Sequence, residues 1–430
     1  MRTVVTRVLL VLGLTATLIA GLGGTALSQE AGEEIRGVLE SIEGTERTLI
    51  AGVGISVSLD GTVVGSAVSN ENGEWSVPVP GPGAYQVELD VSTLPEGVGL
   101  TLDGGERLPG VSVRAGQSKV VRFQLGSGID VSTSTLDRFA DLVVIGLKFG
   151  AIIALASIGL SLIFGVTGLV NFAHGELITL GAVVTFFFSV SPLGPQWHLV
   201  FAAIPALLLA ALFGWAQEVG LWRPLRRRRT GLLAMLEISI GLSFLLRHVI
   251  LAAFTGRPRS FADFVIQQEW SLGPIDVVPK NIFIIASAII VLGGVGLFLQ
   301  RTKMGTAMRA VSDNIDLAES SGINVEQVIL ATWIGGTTLA ALGGIYFGVS
   351  ETVQYDMGFR LLLFVFAAVV LGGLGTAYGA MLGGFVIGLA TEVSTFWISI
   401  EFKNVVALGL LIAILLWRPQ GLLGQKERIG

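Results

Sequence analysis

Along residues 141–424 apolar runs follow one another with short polar breaks, whereas along residues 33–127 apolar and polar residues alternate. The first pattern predicts membrane helices, because about 20 apolar residues span a bilayer and only intrasegment hydrogen bonding satisfies such runs in lipid. Nine segments qualify: 142–165, 176–190, 198–220, 231–254, 281–300, 326–348, 360–375, 377–395 and 404–417. The second pattern predicts short strands of period two. GISVSLDGTVVGSAV alternates around the hairpin signal Asp60-Gly61. Trp75, Val77 and Val79 alternate after an Asn72-Gly73 turn, Tyr85, Val87 and Leu89 after a Pro-Gly turn, and VSVRAGQSKVVRFQL reads as one more pair. The expected fold is a multi-pass α-helical membrane protein of about eight to ten transmembrane helices, some broken, with an N-terminal extracytoplasmic all-β sandwich. That sandwich, at 33–127, is expected to be antiparallel, with a linker at 128–140 and the membrane domain at 141–424.

Composition supports the division. The 430 residues are 52% hydrophobic and only 14% charged, against about a quarter charged in soluble domains. Residues 29–140 carry 16 acids and 7 bases, residues 141–430 carry 16 acids and 18 bases, so the two parts face different solvents. Arginines cluster only beside an apolar span, without interleaved aromatics, so nucleic acid is not an expected partner. The absence of cysteine excludes disulfides, thiol catalysis and Cys-based metal sites.

Residues 1–28 read as a secretory signal peptide: Arg2 and Arg7, an apolar stretch, then small residues before a cleavage site after Ser28. Nine crossings from an outside start place loops 221–230 and 301–325 and the C-terminus in the cytoplasm. Those segments hold 11 Lys and Arg against five in the outer loops, as the positive-inside rule requires.

Three stretches carry candidate chemistry. GVTGLVNFAHGE, 165–176, interrupts an apolar pattern with Asn171, His174 and Glu176. Two readings stand: a broken helix at a translocation pathway, or a polar turn at the cytoplasmic surface. RTKMGTAMRAVSDNIDLAESSGIN, 301–324, has Met304, Ala307, Met308, Val311 and Ile315 at helical spacing and Gly322 at a C-cap, a short amphipathic helix suited to a partner's groove. LGGLG, with Gly372, Gly373 and Gly375, reads as close packing or as a discontinuous helix near the midplane. Gly379 and Gly383 form a G-x-x-x-G pair. Arg247 is placed near an outer helix end, where it can snorkel, while Glu237 and Glu392 lie deeper and need partners. No P-loop, G-x-S-x-G or H-E-x-x-H motif occurs, so no catalytic residue and no metal site are expected.

GLSLIFGVTGLVNFAHGELITLGA, MGTAMRAVSDNIDLAESSGINVEQVILATWIGGTTLAALGGIYFG, FAAVVLGGLGTAYGAMLGGFVIGLATE and WRPQGLLG resemble the permeases of branched-chain amino acid ABC transporters. The likeness is to the first of that system's two permease subunits, in which NFAHGE is a hallmark, and it covers residues 140–424. It implies a plasma-membrane subunit that moves leucine, isoleucine and valine. The implied partners are a second homologous permease, two cytoplasmic ATPases that bind the ATP, and an extracytoplasmic binding protein. No cofactor is expected in this chain.

The resemblance also implies that Arg309, Asp313, Asn314, Gly322 and Ile323 belong to an ATPase-coupling loop, and Asn171, His174 and Glu176 to the membrane core near the pathway. Ser320-Ser321 depart from the apolar residues usual before Gly-Ile-Asn, which bears on ATPase pairing. Residues 33–127 resemble carboxypeptidase-regulatory-like domains, which are mostly structural or binding modules. Related urea or short-amide permeases are the alternative within transport. A membrane-anchored adhesion protein is the alternative of another class, disfavoured because one helix suffices as an anchor.

Overall fold

A computed structural model describes residues 33–43, 46–59, 61–95, 98–100, 105–113, 118–121, 123, 125–128, 135–191, 193–254, 256–261, 263, 270–272 and 275–424. The signal-peptide segment 1–28, Asp60 and residues 129–134 of the expected linker lie outside them, and residues 135–140 are helical rather than linker. The chain divides into two compact units, one within Thr25–Ser134 and one within Thr135–Gly430.

The first unit is all β. Its strands are β1 (Glu34–Val38), β2 (Glu40–Glu43), β3 (Glu46–Leu49), β4 (Gly54–Leu59), β5 (Thr62–Val68), β6 (Glu74–Pro78), β7 (Gly83–Leu89), β8 (Arg107–Val113), β9 (Ser118–Val121) and β10 (Leu125–Gly128). They form sheets ordered β6-β1-β9, β10-β2-β3 and β5-β4-β7-β8. Alternate residues point into one core: Ile35, Ile55, Val57, Trp75, Val77, Tyr85, Val87 and Leu89 are all buried. The Tyr85 hydroxyl donates to the Gly81 carbonyl at 2.5 Å, pinning the turn before β7.

Two expectations are corrected. β1–β9 and β2–β10 pair in parallel, so the unit is not purely antiparallel. β8 and β9 fall in different sheets rather than pairing, and the Asn72-Gly73 and Pro-Gly turns carry β6 across to the other sheet and back. Period-two alternation says which side chains face inward, but every inward-facing strand satisfies it, whichever neighbour it pairs with.

The second unit is helical: α1 (Thr135–Thr167), α2 (His174–Ser189), α3 (Leu199–Gln217), α4 (Arg223–Arg227), α5 (Leu232–Phe254), α6 (Pro279–Arg301), α7 (Lys303–Asp313), α8 (Ile315–Ser320), α9 (Val325–Ser350), α10 (Met357–Gly372), α11 (Ala377–Ser394) and α12 (Lys403–Trp417). A π turn, Glu218–Trp222, joins α3 to α4. Among the described residues seven helical stretches are long and apolar enough to cross a membrane, and α2 and α10 are shorter apolar helices. Each of the nine predicted segments overlaps one of these.

Glycine sets how closely the central helices approach. A Cβ on Gly388 would lie 2.2 Å from the Gly150 Cα, and one on Gly384 2.5 Å from the Ala154 Cα, so α11 lies almost backbone to backbone on α1. Gly379 and Gly383, on another side of α11, meet the Gly372 and Ala368 carbonyls of α10 in the same manner. Small residues serve this purpose in membranes because lipid supplies no hydrophobic drive to bring helices together.

Candidate functional site: a helix break and a loop of two short helices

α1 ends at Thr167, and the chain turns at Gly168, whose φ is +68°. It then runs back non-helically to His174, where α2 starts. The His174 Nε2 lies 2.9 Å from the Ala156 carbonyl, so this nitrogen carries the proton and donates. Ala156 sits three turns, about 16 Å, back from the Thr167 end of α1. Within the first turn of α2, Glu176 Oε1 accepts at 2.9 Å from the Ser243 hydroxyl, and Ser243 is the middle residue of the 23-residue α5. The NFAHGE segment therefore lies at mid-depth in the bundle, which removes the surface-turn reading.

The residues there are buried and partnered. Asn171 Oδ1 caps the Ala173 N–H at 3.1 Å, and the Phe172 N–H donates to Ser239 Oγ at 3.1 Å. Arg247 donates to Glu176 Oε1 through Nε (3.1 Å) and Nη2 (2.9 Å), and its guanidinium lies 3.7 Å over the Phe359 ring. This corrects the snorkelling expectation: Arg247 turns inward to a carboxylate. Its signal was present in the sequence, since Ser239, Ser243 and Arg247 recur every four residues on an otherwise apolar helix. Glu176 also sits in the first turn of α2, where unpaired backbone N–H groups favour negative charge.

α10 begins against this same point. The Gly358 N–H donates to Thr179 Oγ1 at 3.0 Å, and a Cβ on Gly175 would lie 2.9 Å from the Gly358 carbonyl. The two short helices thus meet near their N-terminal ends. Asn171, His174 and Glu176 brace this junction from within the protein.

The LGGLG break lies elsewhere. α10 stops at Gly372, Gly373 (φ +110°) and Gly375 (φ +77°) turn, and α11 starts at Ala377. Leu422 and Leu423 N–H groups donate to the Leu371 and Gly372 carbonyls at 2.8 and 2.9 Å. Gly375 approaches Gly165, which itself neighbours Ser312. The break is thus at the bundle end shared by α7 and the C-terminal tail, not at the midplane. Its glycines make room for the Gly421 and Gly424 backbone, which no spacing rule foretells.

The 301–324 loop forms two helices rather than one, because Asn314 adopts φ −160° and its Oδ1 caps the Leu317 N–H at 2.9 Å, starting α8. Met308 and Val311 are buried, but Ile315 is exposed, against expectation, and so is Leu317. Arg309, Asp313 and Asn314 are exposed beside them. Gly322 (φ +85°) closes the loop: its N–H bonds Glu319 O and the Ile323 N–H bonds Ala318 O, the two-bond Schellman ending. The Ser320 and Ser321 hydroxyls both donate to the Leu317 carbonyl, so these unusual serines cap a helix end. Sequence reasoning missed the pairs behind the loop, Arg226 with Glu218 and Arg223 with Glu326, which tie α4 to the π turn and to the start of α9.

Residues 142–415 match the family described as the permease component of branched-chain amino acid transport systems. The chain belongs to that family. The high-affinity branched-chain amino acid permease LivH of Salmonella typhimurium is 32% identical over 294 residues, covering 66% of this chain and 94% of LivH. BraD of Pseudomonas aeruginosa is 31% identical over 300 residues, 67% of this chain and 97% of BraD. The xylose permease XylH of Escherichia coli is 28% identical over 227 residues, about half of each chain. As a branched-chain permease family member, the chain is a multi-pass membrane protein and a transport subunit. The family match begins at residue 142, so it leaves the β unit out.

Proposed function

We propose that this chain imports branched-chain amino acids as the first permease subunit of an ABC transporter. The observation that carries the reading is the match over residues 142–415, together with relatives aligned over nearly their whole length. The second permease, two ATPases that hold the ATP, and a binding protein complete the machine. The exposed Arg309-Asp313-Asn314-Ile315-Leu317 surface of α7 and α8 offers an ATPase both charge and apolar area. The basic loops fit a cytoplasmic α7, α8 and tail, with the β unit outside. The junction of α2 and α10 flanks the solute pathway and holds the break that lets the bundle shift.

The test is uptake of labelled leucine, isoleucine, valine and urea in the native host, with and without the gene. Loss of leucine-type uptake is expected, and loss of urea uptake alone transfers the chain to the other substrate class. The β unit, acidic and outside, orients the binding protein. Removing residues 30–128 is expected to weaken binding-protein affinity, and unchanged affinity with unchanged uptake ends that assignment.

A further inference from the structure

α5 carries a carboxylate on its open side. Glu237 is exposed, and no hydrogen bond or ion pair reaches it from the described residues. It is six residues, about 9 Å, from Ser243 at the middle of α5, and so lies within a hydrocarbon layer about 30 Å thick. His248, exposed on the same side, is about 7.5 Å beyond the middle in the other direction, and only its Nδ1 is engaged, 2.7 Å from the Phe244 carbonyl. Between them Gly241 is open, with nothing within 4 Å of where a Cβ would stand. Leu233, Phe244 and Leu245 are exposed on α5 as well, but the exposed side of α6, with Phe283, Ile289, Ile290, Leu297 and Phe298, has no ionisable residue between Lys280 and Arg301. A carboxylate facing acyl chains is expensive, and ionisable groups at this depth face protein or water.

We infer that the Glu237–Gly241–His248 side of α5 is the seam with a different transmembrane subunit, which presents a cation or hydrogen-bond donor to Glu237. Two copies of this chain packed α5 to α5 about a two-fold axis along the membrane normal would set Glu237 against Glu237 at one height. Two carboxylates set together cannot both stay charged without a large cost. A non-identical subunit avoids that juxtaposition, and Gly241 gives its helix a place to approach closely. The inference rests on the proposed two-permease transporter and assigns the face it uses.

The chain has no cysteine, so a single Gly241→Cys takes one spin label. Its oxygen accessibility is read in lipid nanodiscs, in this chain alone and in the complete complex, with Ile412→Cys on α12 as a lipid-facing reference (58% exposed). Assembly is expected to lower accessibility several-fold at position 241. An unchanged value overturns the inference, and so does strong spin–spin coupling between two copies of this chain. In parallel, Glu237→Lys is expected to reduce co-purification of the second permease at least tenfold, while Glu237→Gln and an Ile290→Lys control on α6 retain it. Wild-type recovery with Glu237→Lys counts against the seam. A complex that assembles with these contrasts yet imports no leucine refutes the substrate assignment alone.

Discussion

Arg247 is held from three directions, by Glu176, by Ser243 and by the Phe359 ring. Removing one member of such a pair leaves the other charge buried without compensation, at a cost of about 3–5 kcal/mol. Arg247→Ala is therefore expected to lower the unfolding midpoint of the purified complex sharply, and the double variant Glu176→Gln/Arg247→Met to recover much of the loss. Equal midpoints for wild type and Arg247→Ala would show that the pair does not hold the helix junction together. Gly358 allows a cleaner comparison, since a Cβ there would lie 1.9 Å from the Gly175 carbonyl, which is backbone and cannot yield. Gly358→Ala is expected to abolish folded protein, measured as monodisperse yield. Gly335→Ala, with open space around it, is expected to stabilise α9 by about 0.5–1 kcal/mol.

At the scale of elements, the shape of the α7–α8 loop depends on one side chain. Asn314 ends α7 and caps α8, so Asn314→Ala removes an N-cap worth about 1 kcal/mol. Its expected effect is faster amide exchange confined to residues 314–320, with transport reduced and the complex still assembled. Ile315→Ser with Leu317→Ser leaves the α7 core of Met308 and Val311 intact. That variant is expected to fold normally but to lose transport-coupled ATP hydrolysis several-fold, and normal coupling would exclude α8 as the ATPase contact. The helical period in this loop was readable, but the split into two helices was not. Met304 to Ile315 fit one continuous amphipathic turn pattern, and only a backbone too extended for a helix at Asn314 redirects Ile315 outward. The β strands show a similar limit, since period-two alternation marked the buried residues of β4, β6 and β7 without revealing that β1 pairs in parallel with β9.

For the whole molecule, length and apolarity of each run marked the seven membrane-length helices and the two shorter apolar ones of the described residues, because a bilayer demands a near-fixed helix length and closed backbone hydrogen bonding. The loop charges determined the expected orientation, and the motifs determined the family. Tertiary structure decided depth and partnership. NFAHGE sits in mid-bundle because α2 starts level with Ala156, and LGGLG sits at the α7 end because the tail's Leu422 and Leu423 bond to it. Glu392 finds its partner in Lys403 at 2.7 Å, eleven residues on, whereas Glu237 finds none among the described residues and so points beyond the chain. Each of these facts depends on which backbones come within a few ångströms of each other. Glycine pairs such as Gly150 with Gly388 set those distances, and a linear pattern records that small residues are present without recording what they face.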